Sequence, residues 1–358
     1  MTSLRAAVIG LGVGRGHADG YNQSPYSTLA ALCDTDTVRL AEFAQKYNIP
    51  AEACFTDYHT MLKKIPLDIV SVCVPNALHA PVSIAALEAG VHVLCEKPLA
   101  MNTAEAQAMV DAAARAEKHL LVCYNYRYRA DSQWLYRVVH SGRLGEIYHI
   151  SASWRRETGI PGWGLFGSKA LSGGGAMIDL GVHVLDLALW LLDFPAVHTV
   201  SGAARAAFGP HQRKMWRKAG VEPATFEVED GATGFLRLAN SASIFLQATW
   251  GEHRQPNDDQ IRVELQGTEG TAILEIPNYR REDTLRMYTE IEGEPVTITP
   301  AVRWTASAYQ HVGLVLDTVE KLANGEPPTT DGTQGLAAVK ILDALYGSAR
   351  SGKESFLD

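Results

Sequence analysis

The sequence predicts a two-domain α/β protein, and three observations carry that prediction. The chain has 358 residues, more than one hydrophobic core usually supports. Through residue 125, short aliphatic runs alternate with longer segments of helical apolar spacing. After residue 124 that alternation stops, and segments with a period of two follow one another. The domains are therefore placed at 1–124 and 125–358.

In the first domain the strand-like runs are RAAVIG (5–10), STLAALC (27–33), LDIVSVCV (67–74), GVHVLC (90–95) and HLLVCY (119–124). APVSIAALEAG (80–90) and TAEAQAMVDAAARAEK (103–118) have helical spacing. Such alternation predicts a parallel sheet with helices on both faces. Ligands bind such sheets beyond the carboxyl ends of the strands. The loop after the first run is GLGVGRGH (10–17). Glycines there let backbone N–H groups approach a pyrophosphate at the next helix N-terminus. Gly10 and Gly12 fit the G-x-G-x-x-G fingerprint, but its third position holds Arg15, flanked by Gly14 and Gly16. The second run ends at Asp34, 24 residues after Gly10. A carboxylate there accepts hydrogen bonds from ribose hydroxyls and repels a 2′-phosphate, which favours NAD over NADP. Arg39 is the nearby group that could meet a phosphate. The fifth run leads straight into Glu96-Lys97-Pro98, so a lysine points into the ligand crevice.

In the second domain ADSQWLYRVVHSG (130–142) has helical spacing, and GEIYHISASWRRE (145–157) alternates as a strand. An irregular, glycine-rich stretch (158–175) follows. VEDGATGFLRLA (228–239), ASIFLQATW (242–250), QIRVELQG (260–267) and TAILEI (271–276) also alternate, with ANSAS (239–243) as a hairpin turn. They predict an antiparallel sheet. Helices around 306–322 and 333–349 close the chain, and the second is a candidate to pack back onto the first domain.

One stretch of this domain is unusual. GGGAMIDLGVHVLDLALWLLD (173–193) is almost wholly apolar from residue 176, yet it contains Asp179, His183 and Asp186. Spacings of four and three put all three on one stripe of an α-helix. Burying an unpaired charge is costly, so they face partners, water or a ligand. A polar seam between helices satisfies the spacing as well as a catalytic site does.

Composition excludes some functions. The net charge of −8 and the absence of a long basic run argue against nucleic acid as a partner; HQRKMWRK (211–218) is short. The N-terminus lacks signal-peptide features, no apolar run is expected to reach the length needed to span a bilayer, and ALWLLDF is flanked by charge, so no membrane span is expected. Five cysteines without a C-x-x-C pattern read as small buried residues of a reducing compartment, which places the protein in the cytoplasm with no metal.

Together GLGVGRGH, PNALHAP (75–81), AGVHVLCEKPLA (89–100) and GGGAMIDLGVHVLD resemble the Gfo/Idh/MocA oxidoreductases, the glucose-fructose oxidoreductase and inositol dehydrogenase group. The resemblance implies a Rossmann domain, then an α+β domain with a large, mostly antiparallel open sheet. That sheet often forms the subunit interface, which implies a homodimer or homotetramer. It implies that Lys97, Asp179 and His183 line the reacting carbon, and that Pro75, Asn76, His79 and Glu96 run beside the cofactor with Gly10, Gly12, Gly14, Arg15 and Asp34. The expected reaction is NAD-dependent oxidation of a secondary alcohol of a sugar, inositol or related cyclic polyol. His183 takes the hydroxyl proton, since a histidine titrates near working pH. Lys97 polarises the oxygen. Asp179 either orients the imidazole or holds a neighbouring hydroxyl. For the substrate, Arg127 is the first candidate because it follows the last parallel strand; Arg155, Trp163, Tyr126, Arg156 and His311 are others. Relatives that cleave glycosides through transient oxidation, recycle a held cofactor between two sugars, or only bind NAD as regulators define the alternatives.

Overall fold

The computed structural model describes residues 3–161, 166–211, 226–304 and 310–357. The chain divides into two compact units, Met1–Tyr128 with Thr305–Val339, and Arg129–Trp304 with Lys340–Asp358.

The first unit is built on six parallel strands: β1 (Leu4–Ile9), β2 (Ser27–Cys33), β3 (Cys54–Phe55), β4 (Ile69–Val72), β5 (His92–Cys95) and β6 (Leu120–Val122). Their order is β3-β2-β1-β4-β5-β6. The order reverses direction at β1, and in such sheets ligands sit at that switch point. Helices α1 (Arg15–Gln23), α2 (Thr37–Tyr47), α3 (Tyr58–Lys64), α4 (His79–Glu88) and α5 (Thr103–Ala116) connect the strands. Side chains cap several of them. Asp36 accepts from the N–H groups of Val38 and Arg39, Asp57 from Thr60, and Asn102 from Glu105, as carboxylates and amides do at helix starts. No side chain caps α1. Each strand run quoted from the sequence is a strand here; the two-residue β3 is too short to carry a pattern.

The second unit opens with α6 (Ala130–His140) and β7 (Ile147–Arg156). A short helix α7 (Lys169–Ser172) precedes a π-helical turn (Met177–Gly181) that runs into α8 (Val182–Leu191). The strands β8 (Val197–Arg205), β9 (Gly231–Leu238), β10 (Ser243–Thr249), β11 (Asp259–Gly267), β12 (Gly270–Pro277), β13 (Leu285–Ile291) and β14 (Glu294–Ile298) follow. The chain ends with α9 (Gln310–Asn324), α10 (Gly332–Ser351) and β15 (Ser355–Phe356). The nine-stranded sheet has the order β14-β13-β12-β11-β7-β10-β9-β8-β15, with only β10 and β7 parallel. Helix α8 packs on β7, β10 and β11, and α6 on β12 and α8. Ile150, Ala152, Leu246, Ala248, Val263 and Leu265 are accordingly buried under them. The other face of the sheet carries half-exposed residues such as Ser151, Gln247 and Glu264, with Phe245 and Tyr288 well exposed.

Contacts group α9 and α10 up to Val339 with the Rossmann unit. The tight fit depends on glycines. A Cβ on Gly20 of α1 would lie 2.6 Å from Val315 of α9, and one on Gly335 of α10 would lie 2.6 Å from Val122. The expectation of no membrane-length apolar run needs correction. Lys169–Leu191 has the length and a mean hydropathy of 1.4, but it is 94% buried, as a core helix is.

Candidate active site

The glycine loop lies at the end of β1. Gly10 has φ +88°, and a Cβ there would sit 2.4 Å from the carbonyl oxygen of Cys73. A Cβ on Gly14 would meet the Gly10 carbonyl oxygen at 2.1 Å and Val8 at 2.6 Å. Gly14 therefore provides the close helix–strand approach that the fingerprint assigns to its third position, and Arg15 is free to be exposed. Its guanidinium lies 5.6 Å from the ring centre of Phe43. Nothing lies within 4 Å of a Cβ placed on Gly12. An open glycine beside an α1 N-terminus without side-chain cap or acidic first turn fits a pyrophosphate.

Asp34 follows β2 directly. One carboxylate oxygen accepts the Leu11 N–H at 2.7 Å and the other the Asp36 N–H at 2.8 Å. These bonds fix the carboxylate against the glycine loop and leave lone pairs for ribose hydroxyls. Arg39 lies 3.4 Å from Asp34 and 3.2 Å from Asp36, so the cation that could receive a 2′-phosphate is already shared between two carboxylates. Asp34→Ala should therefore lower the preference for NAD over NADP at least about tenfold, measured as the ratio of kcat/KM with the two cofactors.

Around Lys97 the structure builds a rigid corner. His79, the first residue of α4, places Nδ1 2.7 Å from the Pro98 carbonyl and Nε2 2.9 Å from the Val74 carbonyl. Its ring thereby ties the corner to the chain after β4, and burial pushes its pKa down. Asn76 is half-buried and Pro75 exposed in the same turn. Lys97 is partly exposed.

Glu96, expected beside the cofactor, turns inward and is 6% exposed. Its Oε1 accepts from His17 Nε2 at 2.9 Å and His311 Nε2 at 3.2 Å, and its Oε2 accepts the Lys97 N–H at 3.1 Å. Cys123 completes a group whose metal-ligand-type atoms lie within 4.8 Å of one another, but the imidazole N–H groups are spent on the carboxylate. Burial lowers the His17 pKa, against the pull of Glu96. For Glu96, burial opposes ionisation, yet the donors from His17 and His311 prevail and hold the carboxyl well below its usual range. A depressed carboxyl pKa contributes stability above the unfolded-state value, and that stability is lost as pH falls through the folded-state value. Glu96→Gln should cost roughly 1–3 kcal/mol at neutral pH. Its melting temperature should fall less steeply than that of the wild type below about pH 4.5. Thermal unfolding across pH checks both.

In the second unit Asp179 lies in the π-helical turn and His183 in α8, so the regular α-helix expected from the spacing is corrected. Such turns recur at functional sites because they re-aim side chains. Asp179 is partly exposed and accepts the indole N–H of Trp250 at 2.9 Å. His183 is 8% exposed, and its ring centre lies 5.5 Å from that of Trp154. Asp186 is 1% exposed, below the part of the stripe that reaches the surface. Glu229 anchors the start of this segment. Its carboxylate accepts the Gly175 N–H at 2.8 Å, the Met177 N–H at 3.0 Å and the Tyr346 hydroxyl at 2.7 Å. Burial raises its pKa. Trp250 and Glu229 lie in the sheet segment of the sequence, with nothing local to connect them to residue 179.

The candidate substrate residues divide. Arg127 has no exposed surface; it donates to the Thr329 carbonyl at 3.3 Å and to Gln334 at 2.8 Å. It is a structural tie, which overturns its first place as a substrate ligand. Tyr126 is 4% exposed. His311 belongs to the Glu96 cluster. Arg155 binds Glu252 at 2.5 Å, and Arg156 lies near Asp179 and raises its own pKa through nearby carboxylates despite burial. Trp163 lies outside the described residues.

The switch-point glycine loop, the carboxylate after β2 and the uncapped helix are features of an NAD-binding Rossmann fold. Residues 4–124 match the oxidoreductase family with the NAD-binding Rossmann fold, and residues 132–273 match the GFO/IDH/MocA C-terminal domain. D-glucoside 3-dehydrogenase of Escherichia coli K12 is 33% identical over 98% of this chain and 97% of its own length. A putative UDP-kanosamine synthase oxidoreductase subunit of Amycolatopsis mediterranei is 32% identical over 98% and 97%. The crystal structure of an aldose-aldose oxidoreductase from Caulobacter crescentus, complexed with glycerol, superposes with a TM-score of 0.82 at 25% identity, covering 99% of this chain and 100% of that one. The chain belongs to the GFO/IDH/MocA oxidoreductase family.

Proposed function

We propose that the protein oxidises a secondary alcohol of a sugar, glycoside or cyclic polyol with NAD. The observation that carries this is the pair on one buried segment, Asp179 held by Trp250 and His183 beside Trp154. The sugar substrates named for relatives, D-glucoside among them, support the substrate class.

Bound NAD supplies a hydride acceptor. The chain's residues bind it and manage one proton. Gly10, Gly12 and Gly14 with the α1 N-terminus take the pyrophosphate, and Asp34 takes the ribose. His183 accepts the hydroxyl proton. Its Nδ1 is buried, so the nitrogen proposed to take the proton is Nε2. Lys97 donates to the same oxygen and stabilises its developing charge. Asp179, fixed by the indole, sits one turn from His183 and orients the imidazole or a neighbouring hydroxyl.

Absorbance of NADH, followed across a panel of sugars, glycosides and inositols, tests the reading. NADH formed with one of them supports it. Cleavage of a glycoside without free NADH places the protein among glycoside-cleaving enzymes, and NAD binding without turnover of any compound makes it a regulator.

We also infer a homodimer or homotetramer formed through the sheet face that bears Phe245 and Tyr288. That face has no helix over it among the described residues, and its half-exposed residues mix aromatic and polar groups, as subunit interfaces do. Light scattering on purified protein measures the state.

A further inference from the structure

The turn after β12 has a backbone that its sequence does not favour. Asn278 has φ +51° and Tyr279 φ +60°, and the Arg280 N–H closes the turn on the Pro277 carbonyl at 3.2 Å. Two successive left-handed residues make a β-turn of the type that Asn-Gly normally fills. Here an aromatic residue occupies the glycine position, where a side chain is strained. Strain of this kind persists where surrounding contacts hold it, often at functional sites.

The contacts that hold Tyr279 lead to the site. Its hydroxyl accepts from Arg156 Nη2 at 2.5 Å and donates to Asp259 at 2.8 Å. The same Asp259 carboxylate accepts from Arg156 Nε at 2.8 Å and from the Trp154 indole N–H at 2.8 Å. The Arg156 guanidinium stands 5.2 Å from the Trp154 ring centre, and Trp154 meets Tyr279 edge-on at 6.1 Å. Trp154 also lies beside His183, with ring centres 5.5 Å apart. Burial first pushes the Tyr279 hydroxyl up to about 12, so it keeps its proton for Asp259. Nε and one N–H of Nη2 are used on Asp259 and Tyr279; among the described residues the other three N–H groups of the guanidinium are left to meet a ligand. The guanidinium is neutralised by Asp259, which suits a neutral hydroxylated ring and not an anion.

Resting on the sugar-oxidation reading above, we propose that Tyr279 is a positioning residue for substrate recognition: from its left-handed turn it fixes Arg156 against Trp154, beside His183, to grip hydroxyls of a neutral sugar.

The test compares full-length wild type with Tyr279→Phe and Tyr279→Gly at saturating NAD, on the neutral sugar or glycoside that the wild type oxidises fastest. Phenylalanine removes only the hydroxyl, and glycine restores the favoured turn. Both variants should raise the KM for the sugar about tenfold, change kcat less, and leave the KM for NAD unchanged. Tyr279→Gly should melt within about 4 °C of the wild type, because relief at the turn offsets the lost contacts. If the wild type is active and both variants keep its sugar KM, Tyr279 is only a turn residue and the proposal fails alone. If the wild type prefers sugar acids to neutral sugars, the proposal fails. If it oxidises no sugar or polyol, the proposal falls together with the functional reading.

Discussion

Replacing His183 with alanine should lower kcat for NAD-coupled alcohol oxidation about 10²–10⁴-fold while NAD binding stays at the wild-type level. The residue lies on a buried helix whose other polar residue, Asp186, is 1% exposed, so the proposed proton acceptor has few substitutes there. Its ring is packed by Trp154 and is 8% exposed, which limits the water able to stand in for it. The alanine variant keeps α8 helical, and NAD affinity, measured by fluorescence titration, should not move because the glycine loop and Asp34 are untouched. On the role proposed for it above, Lys97→Ala should cost about 10²–10³-fold in kcat. Full turnover in either variant with NAD bound would sink the assignment of roles.

The second large effect is expected at a glycine one turn before Asp179, whose N–H donates to its carbonyl at 3.0 Å. A Cβ on Gly175 would lie 1.8 Å from the Glu229 carbonyl oxygen and 3.1 Å from Val228. Both neighbours are held, since Ala176 donates to that same carbonyl at 3.2 Å and the Glu229 side chain binds Gly175, Met177 and Tyr346. Gly175→Ala must therefore displace the segment that leads into Asp179 and His183. Overpacking of this kind costs roughly 1–3 kcal/mol, and a shift of an ångström at reacting groups costs about 10²-fold in rate. Calorimetry should show a lowered melting temperature and steady-state kinetics a loss in kcat. Gly12→Ala, placed where nothing lies within 4 Å, is the contrast: the fold should tolerate it, and any loss should appear in the KM for NAD.

The contrast between these glycines shows which parts of the site were legible. GLGVGRGH identified the loop, but only the packing against Val8 and the Gly10 carbonyl shows that Gly14 does the work assigned to the third position. Asp34 and Lys97 could be singled out because each lies just past a strand end, and strand ends in a parallel sheet define one ligand-facing edge. The same reasoning misplaced Arg127, which also follows a strand closely. Position along the chain cannot say whether a guanidinium reaches outward or, as here, turns in to Thr329 and Gln334. Nor could it show that Glu96 is also the buried acceptor for His17 and His311.

By itself the sequence determined the two-domain α/β class, the parallel sheet, the cofactor preference argued from Asp34, and the presence of Lys97, Asp179 and His183. These depend on periodicity and on short motifs, which are properties of neighbouring residues. Tertiary structure alone decided what holds those groups. Trp250 reaches Asp179 from the end of β10 at a separation of 71 residues, Glu229 reaches Met177 at 52, and Tyr279 reaches Arg156 at 123. Such pairings follow from the register and order of nine strands. A one-residue change of register turns each side chain to the opposite face, and no local pattern encodes that order.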